Sequence, residues 1–325
     1  METIGFIGVG SAGARLANDV LKAGHPLVVY DLREEAMEPF AEKGARVASS
    51  GKEAAALSDI IFTSLPATKE ADEAARGPNG ILEGIRAGSI YIDLSTRSES
   101  WIRDIEPFFD KQGAGVLEVT VLMGGDPRFQ RSCGALLVGG DPQVYERVKP
   151  VLLTMSDRLI YCGGLGSATV CKFVHNMIGN SVRLAIAEGL TMAAKAGVDP
   201  LIAWESLRHG IVGKGRDFLG AAQALRGNFE NRPGGFAFAL ARKDLALATE
   251  FAKSLNVPVG VHMATEAVAS QAMSRGYGDK SPLGALYLVQ EEIAGVEARN
   301  PAADVAASPD FITVHPDLLA ADSPQ

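Results

Sequence analysis

At 325 residues, with 47% hydrophobic and 22% charged side chains, the chain has the make-up of a folded protein of about two domains. Its formal net charge of -8 and pI near 5.3 argue against a general binder of nucleic acid or of anionic membranes, while leaving room for a local pocket that holds a small anion. The three cysteines, Cys133, Cys162 and Cys171, are odd in number and widely spaced, so they give no disulfide framework and no metal-ligand set. Together with a start that runs straight into 4-IGFIGVG-10 and the absence of any apolar run near the ~18 residues of a membrane span, they point to a cytoplasmic protein.

Taken in chain order, the first half alternates short β-branched runs with helical patterns. Strands are expected at 4-IGFIGV-9, 26-PLVVYD-31, 59-DIIFTSL-65, 89-SIYIDLS-95, 115-GVLEVTV-121 and 135-ALLVGG-140, with helices such as 12-AGARLANDVLKAG-24 and 33-REEAMEPFAEKG-44 between them. That alternation predicts a parallel sheet with helices on both faces, an α/β domain over 1–162. After Cys162 the strand signal almost vanishes. A helical pattern runs from about Ser167 to Ala196 and stops at Gly197, a C-terminal cap, and Asp199-Pro200 opens the next helix. Further helices are expected around 216–226, 236–255, 260–275 and 282–295, so 163–295 reads as an all-α domain joined to the first by the long helix. The Ala-, Pro-, Asp- and Ser-rich segment 296–325 reads as a flexible tail.

Gly8, Gly10 and Gly13 form G-x-G-x-x-G between the first strand and the first helix. Gly8 permits the tight turn, Gly10 lets the backbone approach a pyrophosphate, and Gly13 lets the helix pack close to the strand. The helix start at Ser11 and Ala12 adds free N–H groups and the positive end of the helix dipole. The second strand ends at Asp31, 18 residues after Gly13, where the acid of a dinucleotide-binding unit meets the ribose hydroxyls. A carboxylate there favours NAD over NADP, although Arg33, two residues on, is a guanidinium that could grip the extra phosphate. Leu32 and Arg33 complete the expected adenosine side of the site.

The stretch 170-VCKFVHN-176 sets Lys172 among apolar neighbours. Desolvating an ammonium is costly, so such a lysine either reaches water or is placed for work. On a helix Lys172, Asn176, Gly179 and Arg183 fall at i, i+4, i+7 and i+11, with His175 at the border of that stripe. Val170, Cys171, Phe173, Val174, Met177, Ile178 and Val182 occupy the other faces. The pattern predicts a buried helix whose polar stripe faces water or a cleft.

Five stretches carry a resemblance to a known family: 5-GFIGVGSAGARLANDVLKAGH-25, Leu65-Pro66, 93-DLST-96, 163-GGLGSATVCKFVHN-176 and 242-RKDLALATEFAKSLNVPV-259. On these the chain resembles, over about residues 3–295, the β-hydroxyacid dehydrogenases, the group of 3-hydroxyisobutyrate dehydrogenase, tartronate semialdehyde reductase and 6-phosphogluconate dehydrogenase. The resemblance implies that Lys172 is the catalytic general acid/base and that Asn176 orients the substrate. It sets His175 where the family's first asparagine is usual, as in the 6-phosphogluconate enzymes. It further implies that Leu65, Pro66 and Thr96 line the nicotinamide side, that Lys243 lies near the cofactor with Asp244 in support, and that the chain forms a homodimer or homotetramer.

One segment departs from the family pattern. Where the family has D-A-P-V-S-G-G, this chain has 118-EVTVLMGG-125, which puts Met123 at the serine that meets a substrate carboxylate. Methionine offers adaptable apolar surface and no donor, whereas Gly124 and Gly125 keep their backbone amides. The expected substrate is therefore a 3-hydroxy acid-like compound or a bulkier, less anionic primary alcohol, with Arg183 as the other candidate to hold a carboxylate. An imine or iminium reductase on the same architecture and a dinucleotide-binding regulator without turnover are the competing readings. His209 and Lys214 have a weaker claim as loop residues, and His262 and Trp204 read as packing. No metal is expected.

Overall fold

The computed structural model describes residues 1–122, 133–208 and 216–301, and the chain forms two compact units, Met1–Lys172 and Phe173 onward. In the first unit the order is β1 (Ile4–Ile7), α1 (Ser11–Lys22), β2 (Leu27–Tyr30), α2 (Glu34–Ala41), β3 (Arg46–Val47), α3 (Gly51–Ala56), β4 (Ile60–Thr63) and α4 (Thr68–Arg76). It continues with β5 (Ile90–Asp93), α5 (Glu99–Asp110), β6 (Gly115–Leu122), β7 (Ala135–Gly140), α6 (Pro142–Met155) and β8 (Leu159–Gly163). All six strands expected from the sequence are present. β3 and β8 were not anticipated, because one is two residues long and the other, LIYCG, has an exposed middle and no readable alternation.

The strands form one sheet in the order β3-β2-β1-β4-β5-β6-β7-β8. Every neighbouring pair is parallel except β6 and β7, which run antiparallel from Leu117 opposite Gly140 to Leu122 opposite Ala135, so the expectation of a wholly parallel sheet needs that correction. Burial on both faces explains the near-continuous apolar strands. Ile60 and Phe62 pack on one face with Ile4, Phe6 and Ile92, while Ile61 packs on the other with Val28, Tyr91 and Phe109. The order reverses between β1 and β4, and the carboxyl ends of strands at such a switch point are where open α/β sheets bind ligands.

The long helix α7 spans Ser167–Lys195, and the division between the two compact units falls in it after Lys172. The second unit continues with α8 (Pro200–Arg208), α9 (Arg216–Leu225), α10 (Phe238–Ser254), α11 (Gly260–Ser274) and α12 (Pro282–Ala294). Local signals set these ends. Gly197 takes φ +83° after α7, Asp199 Oδ1 accepts from the Leu201 N–H at 2.8 Å, and Ser281 accepts from the Gly284 N–H ahead of α12. Two apolar clusters hold the unit, one around Leu190, Trp204, Leu225 and Tyr287, the other around Leu184, Phe238, Leu245 and Leu286.

Two expectations change here. The start of the supposed tail is packed: Ala298 is fully buried, its N–H donates to Glu291 Oε1 at 2.8 Å, and Arg299 pairs with the same carboxylate. A buried glutamate needs those donors, and the chain up to Pro301 supplies them; positions 302–325 lie outside the described residues. The stripe of α7 is also more enclosed than one facing open water: Lys172, Gly179 and Arg183 are half-buried and Asn176 is buried. Asn176 and Asn180 are 9% and 1% exposed, whereas Val174, Ile178 and Met192 are 51%, 61% and 72% exposed. Asn176 is held by Asp244 of α10, and an apolar stripe of α7 is exposed.

Candidate active site

The glycine loop joins β1 to α1 and is shaped by its backbone. Gly8 has φ +87°, and a side chain there would meet the Ser64 carbonyl at 2.4 Å. A Cβ on Gly13 would lie 2.0 Å from the Gly8 carbonyl oxygen, so glycine is what lets α1 start against β1. Gly10 caps α1 with no side-chain hydrogen bond, no acid stands in the first turn, and Ser11 and Ala12 are exposed. Open backbone N–H groups at the positive end of a helix suit a pyrophosphate. This cradle fits a dinucleotide.

Asp31, at the end of β2, faces that loop. Its Oδ2 accepts from the Val9 N–H at 2.9 Å, and its Oδ1 accepts from the Arg33 N–H and Nε at 3.0 and 3.3 Å. Arg33 is not free in solvent but paired with the acid, and its guanidinium reaches over Gly10. Leu32 is exposed beside them.

Across the switch point, Leu65 and Pro66 follow β4 and are braced by residues the sequence did not single out. Arg97 is 2% exposed, pairs with Asp93 at 2.6 Å and donates to the carbonyls of Ala67 and Leu65 at 2.5 and 3.3 Å. Thr63 Oγ1 donates to the same Asp93, and Ser95 Oγ accepts from the Leu65 N–H at 3.0 Å. A buried ion pair with its remaining donors satisfied fixes geometry more than it adds stability. Thr96 stands half-buried next to this network. The spacing Asp93–Arg97 was the available signal.

Lys172 is half-buried on α7 and its Nζ donates to the Val121 carbonyl of β6 at 2.7 Å. One turn on, Asn176 Nδ2 donates to Asp244 Oδ2 at 2.7 Å, and Asp244 Oδ1 lies 3.5 Å from Lys243 Nζ. Because a carboxylate only accepts, Asp244 fixes which end of the Asn176 amide is the donor. The Asn176 Oδ1 stands 3.0 Å from His175 Nδ1. Asn180, which sequence reasoning passed over in favour of Gly179, donates to the Asn176 carbonyl and accepts from Arg183. Met123, Gly124 and Gly125, and also His209 and Lys214, lie outside the described residues.

Other reactive groups are poorly placed for chemistry. Burial pushes the thiols of Cys133 and Cys162 up to about 11, away from nucleophilic use at neutral pH. Among the described residues no group of three or more His, Cys, Asp and Glu could hold a metal ion, and no helix is long and apolar enough to cross a membrane. Trp204 and His262 are 1% and 3% exposed packing residues, His262 bonded to Thr249 at 3.0 Å.

Comparison with known proteins fits this arrangement. Residues 3–164 match the model of the NAD-binding domain of 6-phosphogluconate dehydrogenase, and residues 166–287 match that described as NAD-binding of NADP-dependent 3-hydroxyisobutyrate dehydrogenase. A probable mitochondrial 3-hydroxyisobutyrate dehydrogenase of Dictyostelium discoideum is 30% identical over 288 residues, covering 86% of this chain and 88% of its own. The 2-(hydroxymethyl)glutarate dehydrogenase of Eubacterium barkeri is 30% identical over 299 residues, covering 90% and 96%. A crystal structure of 3-hydroxyisobutyrate dehydrogenase from Salmonella typhimurium shares the fold with a TM-score of 0.76 at 23% identity, covering 88% of this chain and 99% of that one. With the glycine cradle, the acid at the end of β2 and these matches over both units, the chain belongs to the β-hydroxyacid dehydrogenase family and is an NAD(P)-dependent dehydrogenase acting on CH–OH groups.

Proposed function

We propose that the protein interconverts a 3-hydroxy acid-like compound, or a less anionic primary alcohol, and its aldehyde or ketone, with Lys172 as the general acid/base. The observation that carries this reading is the Lys172 Nζ held at 2.7 Å from the Val121 carbonyl, one helical turn from an Asn176 whose amide is oriented by Asp244. An ammonium carries three N–H donors, and the Val121 carbonyl fixes the direction of one of them. Bound at the glycine loop, the dinucleotide supplies or accepts hydride. In the reductive direction Lys172 gives its proton to the carbonyl oxygen, and in the oxidative direction it takes the hydroxyl proton back. Asn176 holds that oxygen in line, and His175, Thr96, Arg183, Met123, Gly124 and Gly125 are the further residues assigned to the substrate. Lys243 serves the cofactor, and Leu65 and Pro66 flank the nicotinamide.

The reading takes NAD as the cofactor, on the placement of Asp31 at the end of β2 facing the glycine loop. Arg33 works against that preference by neutralising the acid, so the two cofactors are to be compared directly. The reading also takes the chain as a cytoplasmic homodimer or homotetramer. Cys171, Ile178, Val182, Ala185 and Met192 are exposed on α7 at spacings of seven, four, three and seven, the geometry of a helix–helix seam.

The test is NADH formation from a panel of carboxylated and uncharged primary and secondary alcohols, with NAD and NADP side by side. Turnover that falls by about a thousandfold in Lys172→Ala is the expected result, from the usual range of general acid–base contributions. Turnover unchanged in Lys172→Ala overturns the role given to Lys172. A strong preference for the acid over its uncharged analogue overturns the apolar-pocket argument made from Met123.

A further inference from the structure

Among the buried carboxylates the mechanism does not use, one lies against the helix of Lys172. Glu118, in the middle of β6, is 3% exposed and touches the helix that carries Lys172. Its Oε1 accepts from the Ala168 N–H at 2.9 Å, and its Oε2 accepts from Thr169 Oγ1 at 2.6 Å. The N–H groups of Gly166 and Thr169 also point to it. These are the otherwise unsatisfied donors of the first turn of α7, gathered on one acceptor. The same strand makes two more contacts to this helix: Thr120 Oγ1 donates to the Ala168 carbonyl at 3.3 Å, and the Val121 carbonyl receives Lys172 Nζ. Room for the carboxylate comes from Gly139, opposite it in the β6–β7 ladder, where a Cβ would lie 2.4 Å from Glu118 Oε1.

We infer that Glu118 is a positioning residue for Lys172. One strand grips α7 twice, at the start of the helix through Glu118 and one turn later through the Val121 carbonyl, so the register of α7 along β6 sets where Nζ ends. A buried group with several donors holds one register, because sliding the helix leaves the carboxylate and the amides unpaired in a site without water. A displacement of about 1 Å at a reacting group lowers a rate by up to about a hundredfold. This inference rests on the reading of Lys172 as the acid/base.

The test compares Glu118→Leu, Glu118→Gln and Thr169→Val with the wild type and with Lys172→Ala, all as full-length protein. In Glu118→Leu, amide exchange over 166–172 is expected to quicken by at least about tenfold and acetylation of Lys172 by acetic anhydride to rise severalfold, because Nζ loses its fixed acceptor. On the best substrate of the panel, kcat is expected to fall about a hundredfold with the NADH Kd unchanged, and the deuterium isotope effect on kcat is expected to rise as chemistry becomes limiting. Glu118→Gln keeps an acceptor for the Ala168 N–H and is expected to restore most of the rate. Thr169→Val removes one contact without touching the strand and carries the same readouts if the leucine variant does not fold. Wild-type Lys172 labelling and isotope effect in folded Glu118→Leu or Thr169→Val overturn the inference. Full activity in Lys172→Ala instead overturns the catalytic reading, while exchange and labelling still report on the clamp.

Discussion

The glycine loop and the start of α7 both join a strand of the sheet to a helix, yet they are built from opposite materials. The loop is made of backbone: Gly8 and Gly13 sit where any side chain would collide with main-chain oxygen, and Gly10 leaves the end of α1 open. The start of α7 is made of side chains, with Glu118 and Thr169 joining residues 51 apart and Asn176 and Asp244 joining residues 68 apart. The difference teaches where a sequence is readable. A site that only glycine can satisfy leaves a fixed spacing, whereas one satisfied by a carboxylate and its donors leaves scattered residues of ordinary type.

The comparison breaks most readily at Gly13. Alanine there puts a methyl group 2.0 Å from the Gly8 carbonyl oxygen, and backbone does not yield as a flexible side chain would. Gly13→Ala is expected to weaken NADH binding by about ten- to a hundredfold, the equivalent of the ~1–3 kcal/mol that overpacking costs. Fluorescence titration with NADH reads it. Ser167→Ala at the start of α7, where the hydroxyl serves only the Gly164 carbonyl among its described bonds, makes the matched control and is expected to bind as the wild type does. Binding by Gly13→Ala equal to the wild type would show that α1 can retreat from β1, and the loop would no longer count as backbone-determined.

Much of the fold was legible for the same reason as the loop. Six strands, α1 and the helices from α7 to α12 follow from period, caps and punctuation, as at Gly197, Asp199 and Pro282. The short β3 and the exposed β8 were lost because two residues, or a strand at the sheet edge, carry too little pattern. In the candidate site, Gly8, Gly10, Gly13, Asp31 and Lys172 were named from spacing and resemblance, and their roles stand as proposals. Arg97, Asn180 and Glu118 were not named: Glu118 acts through partners 50 and 51 residues away, and the local spacings of Arg97 and Asn180 do not by themselves mark a site. On α7 a stripe facing water or a cleft was expected, and Asn176 within it is buried because Asp244 takes its donor, which removes the cost of burying it.

The exposed apolar side of α7 can be tested directly. Ile178 is 61% exposed, so within one chain a charge there should alter folding by no more than about 0.5 kcal/mol. If the stripe is a seam between copies, Ile178→Glu buries an unpaired carboxylate in it and the assembly is expected to dissociate, with the mass by light scattering falling to that of one chain. A wild-type mass that is already monomeric, or one unchanged in Ile178→Glu, would separate the stripe from self-association and leave the apolar outer face of α7 as a feature of the isolated chain.

The smallest effect concerns one ionisable group. Burial holds the Glu118 carboxyl above its ordinary value of 4.5, while hydrogen bonds from Thr169 and Ala168 pull it the other way. The folded chain therefore keeps this proton to higher pH than the unfolded chain does. Its contribution to stability is present in full below the ordinary value and is lost as pH rises through the raised one. The protonated acid still suits the clamp, because the Thr169 hydroxyl can turn from donor to acceptor while the other carboxyl oxygen keeps the Ala168 N–H. Glutamine does not titrate. In urea unfolding from about pH 4 to about pH 8, the stability of the wild type relative to Glu118→Gln is thus expected to decline with rising pH. A relative stability that rises instead would mean that the donors of the first turn of α7 outweigh burial, and that β6 grips the helix with a full negative charge at every pH in that range.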